Sequence, residues 1–168
     1  MSPSFARRRP RTRSFAPRAE PVIEMRWCLA FILALSQVHA AERSPTVNYV
    51  LRCSGCHGMD GSGHESAGVP DFRGAVGAFA SDEQGRTYLL HVPGIVNSSL
   101  SNAEIAAVLN YVMEQWAGDS LGAGFVRFTP KEAAERRAEP VSDVVVFRRR
   151  IVARLGGQGI HTANYPWP

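Results

Sequence analysis

Apolar side chains recur three and four positions apart at Ile105, Val108, Leu109, Val112, Met113 and Trp116, so a helix over 102–116 has one apolar face. Ser101-Asn102-Ala103-Glu104 opens it as a capping box. The Ser hydroxyl can accept from the amide three residues on, and the Glu carboxylate can reach back to the Ser amide. Ala117-Gly118 marks its end. A shorter helix is predicted over 45–53, where Ser44-Pro45 combines an N-cap with proline at the first helical position and Val47, Val50 and Leu51 fall on one side. Tyr88, Leu89 and Leu90 mark a third helix within Gln84–Val92, broken by Pro93-Gly94.

Past Gly118 the pattern resumes. Thr129-Pro130-Lys131-Glu132 caps a helix near 130–138, Pro140 interrupts, and Val144, Phe147, Ile151 and Leu155 define a helix near 142–155 that stops at Gly156-Gly157. This pair must dock on the main body or on a partner. Residues 57–80 hold Gly58, Gly61, Gly63, Gly68, Gly74 and Gly77 without a sustained period and read as a long loop, a length that in a small domain usually serves function. The end of the chain, through Tyr165-Pro166-Trp167-Pro168, reads as a tail. No repeat and no strand pattern is visible, so the fold class is all-α.

The N-terminus follows different rules. Met25-Arg26 begins a short charged start, Trp27–Leu35 is apolar, and Val38-His39-Ala40 ends in small-x-small order, the layout of a secretory signal peptide cleaved near Ala40. The apolar run falls short of the roughly 20 residues a membrane span needs. Residues 1–24 are rich in Arg, Pro and Ser, which makes Met25 a competing start of translation.

This placement changes the meaning of the charge. The chain of 168 residues carries a formal +4, which by itself points to nucleic acid. Residues 1–40 hold seven Arg against Glu20 and Glu24, a net of +5, and the remainder is at −1. Once the leader is removed, no basic excess is left to bind nucleic acid.

The chemistry sits in Cys53-Ser54-Gly55-Cys56-His57, a C-x-x-C-H run. In c-type haem attachment each thiol adds to one vinyl group, and the adjacent imidazole is presented to the iron. Three other chemistries use such a pair. A thioredoxin-type couple needs a βαβ setting, and here a Gly-rich loop follows instead. A zinc site needs further ligands at finger spacing, for which only His64 and His91 are at hand. A plain disulfide suits an oxidising compartment. Export favours haem, which is attached after translocation.

The order of N-terminal helix, C-x-x-C-H-G motif, Gly-rich loop, Pro-Gly turn and capped amphipathic helix resembles a class I (monohaem) cytochrome c over residues 45–117. Val92–Asn110 is similar to a stretch of bacterial periplasmic members. The resemblance implies a small helical fold wrapped around one covalent haem c, with Cys53 and Cys56 as attachment points and His57 as proximal iron ligand. It also places Tyr111 and Trp116 between the terminal helices. The implied organisation is a basic N-terminal segment and signal peptide over 1–40, a cytochrome c domain over 41–118, and a helical C-terminal extension and tail over 119–168.

The resemblance fails at one position. Where that family carries a Met, in Pro-Gly-x-x-Met order, this chain has Pro93-Gly94-Ile95-Val96-Asn97. His91 near that loop, Asn97 or an open site, Met113 and His64 remain as alternatives for the sixth position. Arg52, Arg73 and Arg86 are candidates to meet haem propionates. Arg148-Arg149-Arg150 reads as a solvated helix face or a contact for an acidic partner.

The expected function is one-electron transfer in the periplasm between redox partner proteins, without turnover of a substrate and without a membrane span in the mature form. Two alternatives stand beside it. One is a haem-based sensor or ligand-binding module with an open sixth site. The other is a cytochrome subunit of a periplasmic dehydrogenase, docked through residues 119–168.

Overall fold

The computed structural model describes residues 42–165, and the proposed leader lies outside them. From Glu42 onward the chain packs as one unit. It is all-α, and among the described residues the only β feature is an isolated bridge between His64 and Val69. Helices α1 (Pro45–Arg52), α2 (Ser54–His57), α3 (Gly77–Ala80), α4 (Glu83–His91), α5 (Pro93–Val96), α6 (Asn102–Trp116), α7 (Pro130–Arg137) and α8 (Val144–Gly157) follow in order, with short 3-10 turns at Glu65–Ala67 and Gly118–Ser120. No described helix is long and apolar enough to cross a membrane.

The helix starts are explained by side-chain caps. Ser44 accepts from Val47 N–H, Asp82 from Gly85, Thr129 from Glu132, and Asp143 from Val145 and Val146. Both halves of the Ser101–Glu104 capping box form. The long loop is more ordered than its composition suggests, since it contains the 3-10 turn and ends in α3. Pro93-Gly94 ends α4 as expected but also starts α5, because proline at the first helical position gives up an N–H that would have no partner anyway.

Helix α6 is the axis of the core, with Ile105, Val108, Leu109, Val112 and Met113 buried along it. Helix α1 crosses it through aromatic rings. Tyr49 is 4.6 Å from Trp116 and 5.7 Å from Tyr111 between ring centroids, so Tyr111 and Trp116 do lie between the two helices. The face of α1 corrects the periodicity reading. Val47, Val50 and Leu51 point outward, and the buried residues are Asn48 and Tyr49. One aromatic ring with a satisfied hydroxyl outweighs three aliphatics here: Tyr49 stacks on α6 while its OH donates to Gly58 O at 2.6 Å.

The C-terminal helices dock on this body. Phe128, Ala133, Ile151 and Leu155 belong to the same apolar cluster as the α6 residues. Arg86 on α4 and Glu132 on α7 form a two-pronged pair, with Nε to Oε1 and Nη2 to Oε2 both at 2.6 Å. Arg136 ties the same Glu132 at 2.8 Å and Glu83 at 2.6 Å. Arg154 on α8 reaches back to Asp82 at 2.5 Å.

Candidate functional site

The C-x-x-C-H run forms one tight helical turn that continues from α1. Cys56 and His57 N–H both donate to Cys53 O, at 3.1 and 2.9 Å, and Ser54 Oγ donates to Val50 O at 2.8 Å. The turn brings Cys53, Cys56 and His57 to one wall of a cavity of about 390 Å3. Both cysteines are free thiols, Cys53 partly buried and Cys56 exposed. The cavity size falls in the roughly 300–1,000 Å3 range of cofactor sites. Its other walls are largely apolar and come from Val69–Phe72, from Phe79 and Leu89, from the Val92–Ile95 turn, from Val108–Met113 and from Val144 on α8.

Glycine is obligatory behind this wall. Gly61 has φ +75° and Gly63 has φ +66°. A Cβ on Gly61 would lie 2.8 Å from the Trp116 ring, and one on Gly63 would lie 2.4 Å from Pro70 O. Those close approaches let the loop fold over His57, whose ring stacks on Phe72 with centroids 3.9 Å apart and planes at 18°.

Burial sets the protonation states. Cys53 is pushed up to about 11 by burial, with the neighbouring Cys56 adding to it, so it is a neutral thiol at ordinary pH. Burial pulls His57 down to about 4, against a weaker upward pull from the Pro70 backbone. Its Nδ1 is nonetheless buried without a partner at hydrogen-bond geometry. A neutral imidazole held rigidly in an apolar wall beside two thiols fits the proximal ligand set of a covalent haem. The competing chemistries fit less well. Among the described residues no three His, Cys, Asp or Glu side chains gather as a protein-only metal site requires, and no βαβ unit surrounds the pair.

The residues considered for the sixth position are dispersed. His91 does not line the cavity, and its ring nitrogens lie 2.8 Å from Thr87 O and 2.9 Å from Glu139 O. Asn97 sits at the end of α5, also off the lining. His64 forms the bridge with Val69 in the loop and is not on the wall. Met113 lines the cavity but is 1% exposed and packed in the core. The turn after α4 instead faces the cavity with Val92, Pro93, Gly94 and Ile95, none of which carries a ligating atom in its side chain.

Of the arginines read as propionate partners, only Arg52 reaches the wall. Arg73 is engaged by Asp71 at 2.7 Å and Asp60 at 3.4 Å. Arg86 spends its donors on Glu132, Ala80 O and Val126 O, with its guanidinium 3.9 Å over the Phe128 ring. The sequence reading missed Phe72, Tyr88, Arg148 and Tyr165 as wall residues. Arg148 has a signal in hindsight: it lies four residues after Val144 and three before Ile151, on the apolar stripe and not on the solvated face.

No family model matches the chain. It is similar to a cytochrome c-552 of Thermus thermophilus, at 30% identity over 147 residues, covering 74% of this chain and 95% of that protein. It is also similar to a second cytochrome c-552 of Thermus thermophilus, at 31% identity over 117 residues, covering 59% of this chain and 88% of that protein.

Proposed function

The chain belongs to the c-type cytochromes, which makes it an electron-carrying haem protein, and from that premise we propose that it is a class I monohaem member whose haem is held by Cys53, Cys56 and His57. The observation that carries this reading is the single helical turn bringing both thiols and the imidazole to one wall of an apolar cavity. The Cys53 and Cys56 sulfurs would each form one S–C bond to a haem vinyl group, with the thiol hydrogen going to the other vinyl carbon and nothing leaving. His57 would supply a neutral nitrogen to the iron, its ring orientation set by Phe72. Bound haem supplies one reversible electron.

The rest of the chain would keep the site dry and leave one edge open. Phe79, Leu89, Val108, Leu109 and Val112 exclude water from the interior, while Cys56 is exposed at the rim. An electron donor and acceptor would dock there weakly and in turn, over interfaces at the small end of the range. The apolar run before Ala40 supports a periplasmic location after cleavage of the leader.

A second reading rests on the Val92–Ile95 turn, which turns only non-ligating side chains toward the cavity. A haem without a ligand from that turn would present an open sixth position, able to take a small exogenous molecule as a sensor or ligand-binding module does. The first test is co-expression with c-type maturation machinery. Haem-stained protein should survive denaturing electrophoresis, and replacing Cys53 and Cys56 together by Ala should abolish the stain. Wild-type protein free of haem under those conditions would refute the proposal. Addition of carbon monoxide to the reduced protein then separates the readings: an unchanged spectrum supports a six-coordinate carrier, and a shifted one supports the open site.

A further inference from the structure

Arg148 is the least expected residue on the cavity wall. It lies on α8, far in sequence from the cysteine motif, and is only 5% exposed. Its Nη2 donates to Ala163 O at 2.8 Å, and its guanidinium lies 4.5 Å from the centroid of the Tyr165 ring and 5.5 Å from that of Phe79. The Nε is buried with no partner.

All of these contacts are to neutral groups, and no carboxylate among the described residues pairs with Arg148. A buried guanidinium without a counter-charge is expensive, because burial costs a charge its hydration and only an anion or a full set of acceptors restores it. The rest of the wall cannot provide that anion. Asp71 is already held by Arg73, and Tyr88 beside Arg148 is a neutral phenol, pushed up to about 12 by burial. Arg52, the other cation on the wall, is solvent-exposed and needs no buried partner.

No described residue supplies that anion, which leaves the role to whatever fills the cavity. Resting on the haem reading above, we infer that Arg148 is the charge partner of a haem propionate, so that the C-terminal helix supplies an electrostatic contact to the prosthetic group as well as a wall. The planar fork of Arg suits a carboxylate, and the unpartnered Nε is the donor such a contact would use.

The test labels the propionate carboxyl carbons with 13C through the haem precursor 5-aminolevulinate and follows their resonances in the holo-protein between about pH 4 and about pH 9. At least one propionate should stay ionised throughout in the wild type. Arg148→Gln should raise its proton affinity tenfold or more, and Arg148→Lys should restore most of the wild-type behaviour. Two propionates that titrate like free carboxylates in the wild type, or an unchanged titration in Arg148→Gln, would overturn the assignment. If Arg148→Gln does not accumulate, the wild-type titration and the Lys variant decide. Absence of covalent haem in the wild type refutes the site reading and this inference together, whereas attached haem with ordinary propionates refutes this inference alone.

Discussion

One side-chain amide of Asn110 satisfies both backbone groups of Phe128. Phe128 N–H donates to Asn110 Oδ1 at 2.8 Å, and Asn110 Nδ2 donates to Phe128 O at 2.9 Å. Both residues are buried, so this clamp fixes the segment leading into α7 against α6. Asn110→Ala strands a donor and an acceptor away from water and should lower stability by about 2–4 kcal/mol. Urea unfolding measures this as a lower midpoint at unchanged slope.

The Arg86–Glu132 pair makes stability depend on acid. The Arg86 hydrogen bond, aided by Arg136, holds the Glu132 carboxyl below its ordinary value of 4.5. A carboxyl depressed in the folded state contributes stability that is fully present above the unfolded value and lost as pH falls through the folded one. Wild-type stability should therefore decline as pH drops below about 4.5, more steeply than in Glu132→Gln, which keeps the shape without the titrating charge. Urea midpoints measured across the acid range for both proteins check this, and parallel curves would contradict it.

Glycine substitutions should divide by backbone geometry. Gly61→Ala must hold a Cβ at φ +75° against the Trp116 ring, and should cost at least about 1–3 kcal/mol. Gly156→Ala lies within α8 with nothing near its added Cβ, and should gain about 0.5–1 kcal/mol. Thermal unfolding of the two variants beside the wild type gives the opposite signs directly.

His91 tests the distal side of the site. Its ring bridges Thr87 O and Glu139 O and so ties α4 to the end of the α7 segment. His91→Ala should leave the ferric absorption spectrum unchanged while lowering stability by about 1 kcal/mol. Conversion of the ferric spectrum to high-spin form in the variant would instead identify His91 as an iron ligand.

The helical parts of the fold were legible where local chemistry decides them. Ser44, Ser101 and Thr129 announce their helices, and the Ile105–Trp116 period gives the buried face of α6, because caps and periodicity depend on neighbours three or four positions away. The turn proposed for haem attachment was legible for the same reason, since Cys53, Cys56 and His57 are neighbours in the chain. The outward face of α1 was not, because what buries Tyr49 is Trp116, and no local pattern states that pairing. The opposite wall of the cavity was equally hidden. Arg148 looks like one of three solvated arginines until α8 is laid against α4, and Arg86 looks free until Glu132 is brought to it.

The cavity walls also imply an order of assembly. The turn that presents the thiols and the imidazole is closed by hydrogen bonds within four residues, whereas the wall bearing Val144, Arg148 and Tyr165 requires the end of the chain to return across the molecule. Short-range closures carry little loop entropy and form first, and long-range ones come later. The reactive side chains are thus in place while the far side of the cavity is still unbuilt, and a bulky planar group can enter sideways, without threading through a finished shell. The last helix closes behind it, so that enclosing such a group and completing the fold are one event.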